Sequence, residues 1–368
     1  MHPIYLDNNA TTFLAPEVKK AIDEFISSSL GNPSSQHAWG QRAKSLLSEA
    51  RKKVANYFQC PSSQIIFTSG GTESANLCIR GLVPHKKARI LTSKVEHSCV
   101  FDCIEELSKE GAEVVYLPVG EKGAVEIADV EHALESGKFD LIVLMAVNNE
   151  TGVKNDIAAI AQLAEKHGTH FIVDAVAWMG KDQVRIPKGI SALFFSGHKI
   201  HALQGTGCVY LKPRLKLHPQ LFGGSQEFSL RPGTENLLGI HTLATAVTLL
   251  QNSSIEQMEC LRNRFEEALL TLPQVQLNGT GPRVCNVSNL AFLGQDGESL
   301  LIALDQQGIG CSLGSACSSG AIEPSRVLRE MGLPASRTAC SLRFSLSRYT
   351  TEEEIDRAIT VIQSLLQH

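Results

Sequence analysis

A chain of 368 residues exceeds the roughly 250–300 at which a single hydrophobic core stops growing, so two domains, or one large domain with a satellite, are expected. Hydrophobic residues make up 43% and charged residues 20%, with 29 Gly and 14 Pro, which excludes a disordered chain and leaves a sizeable core to bury. A net charge of −4, without any long block of like charges, excludes the footprint of a dedicated nucleic-acid binder and favours small-molecule chemistry.

The start, Met1-His2-Pro3-Ile4-Tyr5-Leu6-Asp7, has neither a basic stretch nor an apolar signal core. A cytoplasmic location is therefore expected. From residue 64, short apolar runs at 64–68, 90–93, 114–118, 141–147, 170–173, 192–195 and 208–211 alternate with helical patterns such as 97–110 and 156–167. Several runs are apolar throughout, as in strands buried on both faces, which predicts an α/β fold with a doubly wound, mainly parallel seven-stranded sheet. Between 195 and 208 there is no room for a crossover helix, so the last strand should be antiparallel. The longest apolar run, 141–147, is far short of the roughly 18 residues that span a bilayer, and no membrane association is expected.

Helical runs at 236–250 and 254–272 and strand-like pieces at 285–292 and 341–345 predict a smaller α+β domain. Thr350-Thr351-Glu352-Glu353 has the form of a capping box opening a last helix over 352–366. The expected division is a large cofactor-binding domain over 14–250 and a small domain from 1–13 and 251–368. The ten cysteines are scattered without regular spacing and read as free thiols of a reducing compartment.

Open α/β sheets bind ligands beyond the carboxyl ends of their strands, so the polar residues placed there carry the functional argument. Ser69-Gly70-Gly71-Thr72-Glu73-Ser74 is a Gly-rich turn opening a helix, suited to a phosphate; by itself it is weak evidence and reads first as an ordinary strand-to-helix turn. Asp174 ends a strand where a lone buried carboxylate would be costly, so it is either a buried pair or cap, or the partner of a protonated ring nitrogen. Lys199, in Ser196-Gly197-His198-Lys199, ends the next strand in a setting that suits a nucleophilic amine. A phosphate turn, an acid and a lysine together match what pyridoxal phosphate needs. Asn148-Asn149-Glu150 and Glu96-His97 end two further strands, and His97 could cover the cofactor ring and move protons, or merely start a helix. Small residues surround Cys317 in Gly314-Ser315-Ala316-Cys317-Ser318-Ser319-Gly320, a setting for a thiolate carried into a pocket and out again, or for an idle surface thiol. Arg343 is a lone charge in a strand-like run, fit for a substrate carboxylate or for a structural ion pair. His97, Cys99 and Cys103 fall unevenly around a helix, and no metal is expected.

The stretches 5–12, 31–37, 67–74, 147–150 and 196–199, followed by Arg231-Pro232-Gly233-Thr234-Glu235-Asn236, Gly314-Ser315-Ala316-Cys317 and Ser341-Leu342-Arg343-Phe344-Ser345, occur in that order. With them the chain resembles, over essentially its whole length, the cysteine desulfurases of the class V, fold-type-I pyridoxal-phosphate enzymes. The Gly-Ser-Ala-Cys form is that of their long-loop group, associated with iron–sulfur cluster assembly. The resemblance implies that Lys199 forms the internal aldimine, Asp174 holds the pyridinium and His97 stacks on the ring. It further implies that Gly71, Thr72, Ser196 and His198 bind phosphate, with Thr234 reaching over from the second subunit of a homodimer. Asn149 and Arg343 would bind the carboxylate of L-cysteine, and Cys317 would attack its sulfur, release alanine and hand the persulfide to an acceptor scaffold protein.

Two departures stand out. Ala177 occupies the place of a glutamine that donates to the cofactor's phenolic oxygen, and Ala202-Leu203-Gln204-Gly205 replaces Gly-Pro-Lys-Gly. One lost hydrogen bond of this kind is worth about 1–3 kcal/mol unless a neighbour replaces it. The rival readings are a selenocysteine lyase, a class V aminotransferase, or a weakly active sulfur-relay paralogue.

Overall fold

The computed structural model describes residues 2–28, 31–83, 87–252, 255–314 and 324–367. The chain enters through β1 (Ile4–Tyr5), α1 (Pro16–Ser28) and α2 (Ala38–Tyr57). Strands and helices then alternate as β2 (Ile65–Thr68), α3 (Gly71–Leu82), β3 (Arg89–Ser93), α4 (Ser98–Lys109), β4 (Glu113–Leu117), α5 (Ile127–Glu135), β5 (Leu141–Met145), α6 (Ile157–His167) and β6 (His170–Asp174). After β7 (Ile190–Ser196) and β8 (Gly207–Leu211) comes α7 (Leu237–Leu249).

Strands β2 to β8 form a seven-stranded sheet in the order β2-β8-β7-β6-β5-β3-β4. From β4 across to β7 every neighbouring pair is parallel, whereas β8 is antiparallel to both β7 and β2. The expected seven strands and the expected reversal at β8 are both found. Between Ser196 and Gly207 the chain makes only the short turn Gly197–Lys199, too little for the crossover that a parallel return requires.

Alternate residues of the strands face opposite ways, and each face is covered. Phe67, Leu144, Val173 and Phe195 pack with Val54 of α2, Ile160 of α6 and Leu243 of α7. Ile66, Val143, Ile172 and Phe194 pack with Ile79 of α3 and Ile104 of α4. Burial on both sides is why β5 and β7 read as unbroken apolar runs: all their residues are buried.

The rest of the chain forms α8 (Ile255–Leu270), β9 (Val275–Leu277), β10 (Val287–Phe292), α9 (Gly297–Gln306), β11 (Ile309–Gly310), α10 (Arg326–Glu330), α11 (Ala335–Ala339), β12 (Ser341–Ser345) and α12 (Glu352–Leu365). Here β9, β10 and β12 make an antiparallel sheet, and β1 returns from the N-terminus to pair with β11. A separate core gathers Leu6, Phe265, Phe292, Phe344 and Ile362. The capping box of α12 lies one residue later than the sequence pattern suggests: the Thr351 hydroxyl accepts from the Glu354 N–H, and the Glu354 carboxylate accepts in return from the Thr351 N–H. Two adjacent threonines followed by three glutamates fit either register, and the backbone entering the helix decides between them.

The strand order places the site. The chain leaves β3 for the edge strand β4 and then crosses back to β5 on the other side of β3, so the crevice beyond the carboxyl ends opens there. Since β2 and β7 are both antiparallel to β8, β2 ends on that same edge and delivers its Gly-rich turn to it.

Candidate active site

A cavity of 690 Å³ opens at this edge. Its lining includes Gly71 and Thr72 after β2, His97 after β3, Asn149 after β5, Asp174 at the end of β6, Ser196, His198 and Lys199 after β7, and Arg343 of β12. These are nine of the eleven site positions singled out from sequence. Thr234 stands exposed on the loop before α7 and is not part of the lining, and Cys317 lies outside the described residues.

The Gly-rich turn owes its shape to close approaches. A Cβ on Gly207 of β8 would come within 2.7 Å of the Gly70 backbone, and one on Gly71 would meet Val176 at 3.3 Å. The Ser74 hydroxyl, donating to the Gly70 carbonyl at 2.8 Å, closes the first turn of α3 behind it.

Lys199 is held from the opposite side by the N-terminal segment. Its Nζ donates to the carbonyls of Asn9 and of Ala10, the latter at 2.7 Å. That segment is anchored in turn: Asn8 Nδ2 donates to the Ser345 carbonyl at 2.9 Å, and Thr12 N–H donates to the His198 carbonyl at 3.0 Å. The amine at the end of β7 is thus oriented by residues from the far end of the chain.

Burial governs the ionisation of the cavity wall. Asp174 is pushed up to about 6 by burial, with the Val176 N–H, 2.8 Å from Oδ1, and the Lys199 charge acting the other way. Glu96 is pushed up to about 8, again chiefly by burial, while accepting from the Ser93 hydroxyl at 2.6 Å and the Met145 N–H at 2.7 Å. His97 is brought down to about 4 by burial, helped by the charges of Lys199 and Arg326, so its ring is neutral at neutral pH. It caps α4 by accepting the Cys99 N–H at Nδ1, 3.2 Å away, which leaves the proton of the neutral ring on Nε2. His198 also falls to about 4, through burial and the neighbouring Lys199.

Arg343 combines the two roles its sequence setting left open. Its Nη2 donates to Asp7 at 2.7 Å and its Nη1 to the Asn149 carbonyl at 3.2 Å, while its buried Nε has no partner among the described residues. Asn149 also gives its carbonyl to Asn9 Nδ2 at 3.0 Å, so both residues expected at a carboxylate belong to one network.

Residues 4–358 match the family model described as aminotransferase class-V. The chain belongs to this family. Within it, a cysteine desulfurase of Trichormus azollae is 40% identical over 375 residues, covering 100% of this chain and 94% of that protein. Among solved structures, a NifS-like protein from Rickettsia africae superposes with a TM-score of 0.90 at 30% identity over 100% of both chains. The structure titled SspA in complex with cysteine gives 0.84 at 29% identity, covering 95% of this chain and 100% of the other.

The lining of this class V site also holds residues that sequence reasoning passed over. Lys181, only 6% exposed, lines the cavity beside Ala177, and Arg326 stands at its rim, donating to the Glu96 carbonyl at 2.7 Å and stacking on Phe101. The Asn9 and Ala10 carbonyls belong with them. No local pattern marks such positions, because each gains its role from a contact with a distant strand end. A slender hint exists for Lys181 in the Gly180 before it, whose φ of 73° turns the chain back under Lys199.

Proposed function

We propose that this chain is a pyridoxal-phosphate-dependent cysteine desulfurase, converting L-cysteine to L-alanine and leaving the sulfur as a persulfide on Cys317 for iron–sulfur cluster or thiocofactor assembly. The observation that carries the reading is the convergence on one cavity of a buried acid, Asp174, and an oriented amine, Lys199, in a chain whose full-length relatives bear the name cysteine desulfurase.

The side chains fit the cofactor. Asp174 accepts from the Val176 N–H, and among the described residues no ion pair reaches it, so a protonated ring nitrogen would offset the cost of burying it. The turn at Gly70 and Gly71, with Thr72, Ser196 and His198 around it, offers free N–H groups at the start of α3 to a phosphate. When bound, the cofactor supplies an electron sink at the amino acid's Cα and makes the substrate sulfur open to a thiol. Lys199 would carry it and afterwards take the Cα proton; the neutral His97 would lie on the ring and pass a proton through Nε2. Asn149 and Arg343 would take the substrate carboxylate, the unpartnered Nε giving Arg343 a donor to spare. In the net reaction the Cβ–S bond breaks, an S–S bond to Cys317 forms and Cβ gains a proton, so no external oxidant is needed.

The same reading makes the protein a cytoplasmic homodimer in which Thr234 completes the partner's phosphate site and an acceptor scaffold receives the sulfur. The exposure of Thr234 and of Phe222 on the same stretch supports the dimer. The separate core around Phe344 supports a small domain from 1–13 and 251–368 beside a large one over 14–250.

The test is to incubate the cofactor-loaded protein with L-cysteine, quantify alanine and read the intact mass, with Cys317→Ala as control. Alanine together with a sulfur adduct that the variant lacks is the expected result. Alanine formed equally well by the variant would point to a lyase. No alanine from a cofactor-loaded protein would bring the aminotransferase and relay readings forward.

A further inference from the structure

Lys181 is the cavity's unexplained cation. Its side chain is 6% exposed, and its Nζ makes one long contact, 3.5 Å to the backbone carbonyl of Lys199. Among the described residues no carboxylate pairs with it: the adjacent Asp182 is taken by Lys154 at 2.8 Å. The other groups that face it are His201, Cys285 and Arg348, none of them an anion at neutral pH. Burial, with Arg348 adding to it, brings the amine down to about 8, as expected of an ammonium with neither water nor a counter-charge. A buried cation in this state is costly unless an anion reaches it.

The wall it belongs to says which anion. Lys181 and Ala177 come from the same turn after β6 and both line the cavity, and the Lys181 ammonium lies against the backbone carbonyl of Lys199, whereas Asp174 and the Gly-rich turn are assigned to the ring nitrogen and the phosphate. Ala177 has no polar atom in its side chain. Resting on the reading above, we infer that Lys181 is a cofactor-binding residue, its ammonium donating to the ring oxygen that neighbours the carbon Lys199 engages, the place Ala177 cannot serve.

A cation beside that oxygen disfavours a second positive charge on the nitrogen joining Lys199 to the cofactor, so it lowers the pH at which this nitrogen loses its proton. The readout is the visible absorption band of the intact holoenzyme, titrated between pH 6 and 10. In Lys181→Met the midpoint should rise by about one pH unit, a tenfold change in proton affinity. Adding Ala177→Gln to that variant should bring it back down. Replacing a buried unpaired charge by an apolar chain of similar length is generally tolerated, so Lys181→Met should fold. A second measurement does not depend on it: Ala177→Gln alone, with Lys181 in place, should leave the midpoint within a few tenths of a unit. An unshifted midpoint in Lys181→Met, or a marked fall in Ala177→Gln alone, overturns the assignment. If the wild-type protein forms no band that borohydride bleaches, the cofactor reading itself has failed, an outcome separate from either of these.

Discussion

Glu96 and His97 are neighbours whose ionisation is pushed in opposite senses by the same burial, and their pH signatures differ accordingly. For Glu96, raised to about 8 from an ordinary 4.5, the folded state binds the extra proton over that interval. Its contribution to stability is therefore present below the lower value and lost as pH rises toward 8. Glu96→Gln should gain stability relative to the wild type between pH 5 and pH 8, read from denaturation midpoints at the two values; an unchanged difference would show that the acid is ionised when buried. For His97, lowered to about 4 from 6.5, the unfolded state binds the proton first, so stability is lost as pH falls through that window. His97→Ala should also lower the rate of alanine formation by about 10²–10⁴-fold if the ring moves a proton in the reaction. A loss confined to cofactor affinity would instead assign it to binding alone.

The strands and helices show which local signals survive folding. Runs buried on both faces were legible as strands because their sequences have no polar side, and the reversal at β8 followed from the short connection before it. Helix starts were legible to within a residue, since His97, Asp156 and Asn236 each turn out to cap the helix expected after them. The last capping box was displaced by one, and Thr351→Ala, rather than Thr350→Ala, should lose the cap, about 1 kcal/mol by denaturant unfolding. The short strands β9 and β11 carried no pattern of their own: they are strands because β10 and β1 lie beside them. At β8 the packing is tight enough to predict a specific cost. In Gly207→Ala the new methyl must displace the Gly70 backbone, at about 1–3 kcal/mol of overpacking, and phosphate affinity at the turn should fall with stability.

At the scale of the whole molecule, the site is assembled from both ends of the chain. Asp7, Asn8 and Asn9 tie the segment after the first strand to Arg343 and Ser345 of β12, and Asn9 and Ala10 present carbonyls to Lys199, so cofactor binding and the docking of the N-terminus should be coupled. Far from that junction, Arg51 and Glu227 form a buried bidentate pair in which Glu227 also accepts from the Phe67 N–H at 2.8 Å. It fastens the loop that leads to Thr234 onto β2. Glu227→Gln leaves an uncompensated buried guanidinium, at about 3–5 kcal/mol, measurable as a lower denaturant midpoint. Phe222 is 89% exposed in the single chain; if the proposed homodimer forms through this face, Phe222→Asp should shift the mass in solution toward the monomer and weaken cofactor retention with it.

The order of strands and helices, the acid, the lysine and the glycine turn at strand ends, and hence the class of chemistry, followed from sequence alone, because hydrophobic period and turn composition are local properties. Lys181 beneath Lys199, the Asn9 and Ala10 carbonyls on its amine, and Asp7 on Arg343 did not. Those contacts join residues far apart in the chain, and the same lysine or asparagine would look identical at any solvated position; only the packing of the two cores against one cavity brings them there.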